Sequence, residues 1–134
     1  MAENCHENMW KRVEVVYRRR SGTFTKHVIK IGFHSHNILP GGGAPGSARS
    51  IPNPSNKQGK PLILLSGDDD SRAYILNPTS ENLSDWSYNI ATILDNKSGT
   101  VGGITSGDID DDGHLEIFIP GYSEGKIHVY KLMP

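Results

Sequence analysis

Cysteine is nearly missing from this chain of 134 residues: Cys5 stands alone, which excludes an intramolecular disulfide. A lone thiol also says nothing about redox compartment. Long apolar runs are missing too. None approaches the ~20 residues needed to span a membrane, and the amino terminus lacks the apolar core of a signal peptide. Charge of one sign is not in excess. With 14 basic and 15 acidic residues the net charge is −1, which argues against a dedicated nucleic-acid binder. The local basic cluster Arg18-Arg19-Arg20, with Lys11 and Arg12, reads as a solvated hairpin tip. No Gly-x-Ser-x-Gly elbow and no His-Glu-x-x-His pair occurs. The run Gly41-Gly42-Gly43 leads into Ala44-Pro45 rather than a phosphate-binding helix. Helical periodicity is absent, and glycine and proline punctuate the chain throughout. These exclusions leave an all-β protein.

What is there is concentrated in Asp108-Ile109-Asp110-Asp111-Asp112-Gly113-His114-Leu115-Glu116. Three carboxylates at alternate positions, a glycine and a further carboxylate form a set suited to a hard cation. Such an ion takes about six to eight oxygens at roughly 2.3–2.6 Å. Asp108, Asp110 and Asp112 can turn to one interior point, and Gly113 permits the sharp turn after them. The His114 carbonyl then faces the ion and Glu116 closes the shell. The loop is not an EF-hand, because the twelfth position from Asp108 is Ile119 instead of Glu. Its flanks, Thr100–Thr105 and Leu115–Ile119, are rich in β-formers. The predicted cofactor is Ca2+, held by Asp108, Asp110, Asp112, His114 and Glu116.

A second copy of this arrangement lies 54 residues upstream, with Gly67 against Gly121. The offset sets Ile63-Leu64-Leu65-Ser66-Gly67 on Ile117-Phe118-Ile119-Pro120-Gly121. It also sets Arg72–Leu76 on Lys126–Tyr130. In that copy the three Asp positions read Pro54, Asn56 and Gln58, so one ion site is expected and not two. A period of this length suits a four-stranded propeller blade. Strands are expected at 11–18, 24–31, 47–52, 61–66, 72–77, 86–94, 100–106, 115–120 and 126–132.

The stretch Gly107 to Gly121, followed by Gly125-Lys126-Ile127-His128-Val129-Tyr130, resembles an FG-GAP/VCBS-type β-propeller repeat. The resemblance is specific over 100–132 and extends faintly over 47–95. It implies blades of antiparallel four-stranded sheets, about two and a quarter of them in this chain. These are a partial blade 11–32, a blade 47–95 and a partial blade 100–134 within one unit spanning 1–134, with 33–46 as a Gly/His-rich inserted loop. It places Asp108, Asp110, Asp112 and Glu116 on the family's side-chain ligand positions and His114 on its carbonyl position. The ion's role is then structural first.

Incomplete blades leave open strand edges, which recruit other chains. The partners expected are therefore copies of this chain, as a homo-oligomer, or the remainder of a larger propeller. A protein or carbohydrate ligand is the further expectation, and nucleic acid and a membrane span are not. Asn82-Leu83-Ser84 and Asn96-Lys97-Ser98 fit the N-glycosylation pattern and lean the reading towards an extracellular setting. The functional expectation is a calcium-stabilised, adhesion-like binding module. The alternative is a carbohydrate-active lyase or hydrolase using the His34/His36 loop, with Cys5 or His6 as distant candidates for a transition-metal set. Exposed Trp86 or Tyr122 would favour the binding module.

Overall fold

The computed structural model describes residues 22–33, 46–97 and 99–133, together with the backbone of 11–18. Cys5, His6, Arg19, Arg20, His34, His36 and the glycine run lie outside the described residues. The protein is all-β. Nine strands appear among the described residues: β1 (Lys11–Arg18), β2 (Phe24–Phe33), β3 (Ala48–Ile51), β4 (Leu62–Ser66), β5 (Arg72–Pro78), β6 (Tyr88–Asp95), β7 (Thr105–Gly107), β8 (Leu115–Gly121) and β9 (Lys126–Leu132). They form three antiparallel sheets, β1-β2, β3-β4-β5-β6 and β7-β8-β9, and none closes on itself.

The middle sheet is the central layer because β4 is apolar on both sides. Side chains alternate along a strand, so Ile63 and Leu65 point one way and Leu62 and Leu64 the other. The first pair joins Phe33, Tyr74 and Leu76 in a cluster beneath the first sheet. The second pair joins Ala73, Val101, Ile104, Ile117 and Ile119 in a cluster shared with the third sheet. Every residue of β4 is buried. Phe33 meets the Tyr74 ring edge-on at 5.4 Å between centroids, a favoured aromatic geometry.

The sequence repeat is also a repeat of backbone geometry. Ile63 pairs with Leu76 and Leu65 with Tyr74; at the same offset, Ile117 pairs with Tyr130 and Ile119 with His128. Each hairpin turns through a 3-10 segment, Asp68–Asp70 or Tyr122–Glu124. Each segment ends on a left-handed residue, Ser71 at φ 63° or Gly125 at φ 64°.

The copies part company on one side. Ile51 pairs with Leu62, closing the loop 52–61. The matching pair would be Thr105 with Glu116, yet Glu116 pairs with Gly107 and closes the shorter loop 108–115. A slip of two residues keeps every side chain on its own face, whereas a slip of one would invert them. The acidic loop is therefore tighter than its counterpart by two residues.

Two strand boundaries correct the expectation. The strand expected over 100–106 is reduced to Thr105–Gly107 and an isolated bridge between Val101 and Gly121. Between them the chain leans onto the middle sheet, where the Ile104 N–H donates to Ser47 Oγ at 3.2 Å. The outer strand expected over 86–94 begins only at Tyr88. Trp86 instead turns aside and stacks on His27, with ring centroids 4.6 Å apart.

Leu64 is wholly buried between two sheets, while Leu83 is 71 % exposed in a loop. Leu64→Ala should cost about 2–5 kcal/mol, and Leu83→Ala under about 0.5 kcal/mol. Urea unfolding of the two variants checks this; equal losses would contradict the central-layer assignment.

Candidate metal centre

The loop between β7 and β8 turns on two left-handed residues, Asp111 at φ 57° and Gly113 at φ 86°. Asp108 organises it from the start. Its Oδ1 accepts from the Asp112 N–H at 3.2 Å and its Oδ2 from the Gly113 N–H at 2.8 Å. Asp112 Oδ1 accepts from the His114 N–H at 3.0 Å, so His114, half-buried, is held directly behind the turn. Glu116 Oε2 accepts from the Ile109 N–H at 3.0 Å, tying the start of the loop to β8.

These bonds bring three carboxylates to a point. Oxygens of Asp108, Asp110 and Glu116 all lie within 4.8 Å of one another, a spread that one cation can bridge. Asp112 is placed beside them but turned to a different partner, the Lys131 ammonium, which also lies 3.0 Å from Asp110 Oδ2. Lys131 sits opposite Glu116 in the β8–β9 ladder, and its Nζ is 3.5 Å from Glu116 Oε1. That approach lacks hydrogen-bond geometry. Glu116 Oε1 is buried with no hydrogen-bond donor, and the Glu116 side chain is only 7 % exposed. A buried, unsatisfied carboxylate oxygen carries a desolvation cost that a cation would remove. The donor set, all hard oxygen, suits a hard cation.

The charges answer one another. The Lys131 hydrogen bond, then the His114 N–H, hold the Asp112 carboxyl below the ordinary aspartate range. Hydrogen bonds to Asp112 and Asp110 push the Lys131 ammonium well above its ordinary value. Sequence reasoning missed Lys131, which stands fifteen positions beyond Glu116 and enters the loop only across the ladder. The available signal was its counterpart in the other copy, Asn77, a neutral residue beside a loop without carboxylates.

That other loop is stitched by amides. Asn53 Oδ1 accepts from the Ser55 N–H at 3.1 Å, and Asn56 Nδ2 donates to Glu81 at 2.5 Å. A cavity of about 180 Å³ separates the two loops, between Pro54 and Lys57 on one side and Gly113 and His114 on the other.

A second acidic run, Asp68-Asp69-Asp70, forms no cluster of three converging carboxylates among the described residues. Asp70 is buried and receives a hydrogen bond from the Tyr74 hydroxyl. The corresponding pair in the other copy is Glu124 with His128, 2.8 Å apart at the surface. Asn96 is 8 % exposed and so is poorly placed as a glycan acceptor, whereas Asn82 is exposed. Tyr122 is 78 % exposed. Trp86, engaged by His27, is not a free platform.

No family model matches the chain, and no curated protein or solved structure matches it.

Ser80 and then Ser87 donate to the Asp85 carboxylate and hold its pKa down to about 2. A pKa lowered by folding contributes stability above the unfolded value of ~3.9 and loses it as pH falls through the folded value. Ser80→Ala should therefore move the Asp85 titration, followed by NMR, upward towards ~3.9. An unmoved midpoint would contradict the assignment.

Proposed function

We propose that this protein is a calcium-stabilised β-propeller repeat module with a binding role, of the FG-GAP/VCBS type. The observation that carries the reading is the buried Glu116 carboxylate, whose Oε1 accepts no hydrogen bond, beside Asp108 and Asp110 in a loop of the Asp-x-Asp-x-Asp-Gly form. Asp108, Asp110, Asp112 and Glu116 supply side-chain oxygens to the ion, and His114 supplies its carbonyl. The ion braces the turn between β7 and β8, which holds the third sheet against the second. The exact 54-residue match of hairpin registers supports reading the sheets as blades.

The end faces supply the binding role. On the middle sheet, Leu62, Leu64, Ala73 and Ile75 are covered by the third sheet. Their counterparts on the third sheet are Glu116, Phe118, Ile127 and Val129, and of these Ile127 is 66 % and Val129 51 % exposed. At the other end of the stack Phe24, Val28 and Ile31 are exposed. Apolar faces of this kind mark interfaces. We read them as seats for further sheets, from copies of this chain as a homo-oligomer or from the rest of a larger propeller. Light scattering at high concentration should show an oligomer; a monodisperse monomer would contradict self-association. The N-glycosylation triplet that begins at the exposed Asn82 is what favours an extracellular home. The lyase or hydrolase alternative draws on His34 and His36, outside the described residues, and no observation favours it.

Calcium at about 100 times its Kd adds roughly 2.7 kcal/mol to the native state. For a chain of this size that raises Tm on the order of 5–10 °C. Chelator should reverse the rise, Asp110→Ala should abolish it, and Mg2+ should substitute poorly because it demands a tighter octahedron. A melting curve indifferent to both Ca2+ and chelator would sink the reading.

A further inference from the structure

The Lys131 ammonium stands against three of the loop's carboxylates. It contacts Asp112 Oδ2 closely, lies 3.0 Å from Asp110 Oδ2 and 3.5 Å from Glu116 Oε1. All three acids belong to the proposed ligand set. We propose that Lys131 is the resident cation of this loop: its ammonium and Ca2+ compete for the same carboxylates, and ion entry expels Lys131 to the outward side of β9. This inference rests on the calcium reading and adds to it a built-in brake on affinity.

Three observations carry it. First, the acids are shared. An ammonium and an ion held by the same three carboxylates bring like charges within a few ångströms of each other, where they repel. Second, the occupancy by Lys131 is incomplete. Glu116 Oε1 is within ion-pair reach of Nζ yet receives no hydrogen bond. An ammonium has three donors with fixed directions, whereas a calcium ion takes six to eight oxygens in flexible geometry. The buried oxygen therefore favours the ion over the lysine. Third, the repeat provides an internal control. Where the acids are replaced by Pro54, Asn56, Gln58 and Leu62, the position of Lys131 is held by Asn77. The lysine accompanies the carboxylates and is absent without them. Lys131 is also already one-third exposed, on the edge strand of its sheet.

The consequence is a chain that does not depend wholly on its ion. With Ca2+ absent, Lys131 partly neutralises the loop, and with Ca2+ present that contribution is surrendered. Apparent affinity is lowered by the cost of displacing the lysine, as for any site whose competent state must first be freed.

Calorimetric titration of the chelator-treated full chain with Ca2+ tests this, comparing wild type with Lys131→Met and Lys131→Arg. Lys131→Met should bind at least about tenfold more tightly and melt lower in chelator, while Lys131→Arg should stay near wild type. Should Lys131→Met fail to fold without the ion, wild type alone decides the matter by amine footprinting. Acetylation of Lys131, read by mass spectrometry, should rise several-fold on adding Ca2+. Wild type that binds Ca2+, with Lys131→Met binding no more tightly or Lys131 acetylation unchanged, would overturn the inference and leave the calcium reading standing. Failure of every chain to take up Ca2+ would overturn both.

Discussion

A carboxylate buried in a β-sheet is costly unless hydrogen bonds and positive charge answer it, and in this protein Glu116 sets that demand. It occupies the place that Leu62 holds in the other copy of the repeat, on the same face of the equivalent strand. An apolar residue there needs nothing further. A carboxylate there needs donors or positive charge, and the Ile109 N–H and Lys131 are drawn to it. Pairing Glu116 with Gly107 shortens the loop, and the shorter loop brings Asp108 and Asp110 to it.

The two loops at the same end of the stack solve one problem in two ways. Both must reverse the chain between antiparallel strands and satisfy the backbone groups exposed in the turn. The upstream loop does so with amides: Asn53 and Asn56 accept from N–H groups two residues on. The downstream loop uses carboxylates for the same bonds, Asp108 and Asp112 taking the N–H groups of Asp112, Gly113 and His114. Carboxylates make stronger acceptors, but they leave negative charge to be neutralised. Lys131 supplies part of that neutralisation.

Much of the fold could be read in the residues, because it rests on local periodicity. Strands such as Leu62–Ser66 and Leu115–Gly121 announce themselves by β-branched and apolar runs between glycines. The repeat was visible for the same reason, and its two 3-10 turns fall at matching places. What stayed hidden depends on contacts between distant segments. The strand expected over 100–106 yields to the bond from Ile104 to Ser47, which no spacing within the segment foretells. The Asp68–Asp70 run looks like a solvated turn, yet Tyr74 draws Asp70 inside. In the site, the acids were legible as a spacing, and Lys131 was not, since it joins them only through the pairing of β8 with β9.

The central claim is that residues 108–116 hold one calcium ion per chain and that the loop 52–61 holds none. Titration of chelator-treated protein with radioactive calcium at equilibrium counts the ions directly. One equivalent bound per chain, and none in a chain carrying Asp108→Asn together with Asp110→Asn, is the result this account requires. Zero equivalents in the wild-type chain, or one retained after both substitutions, would contradict it.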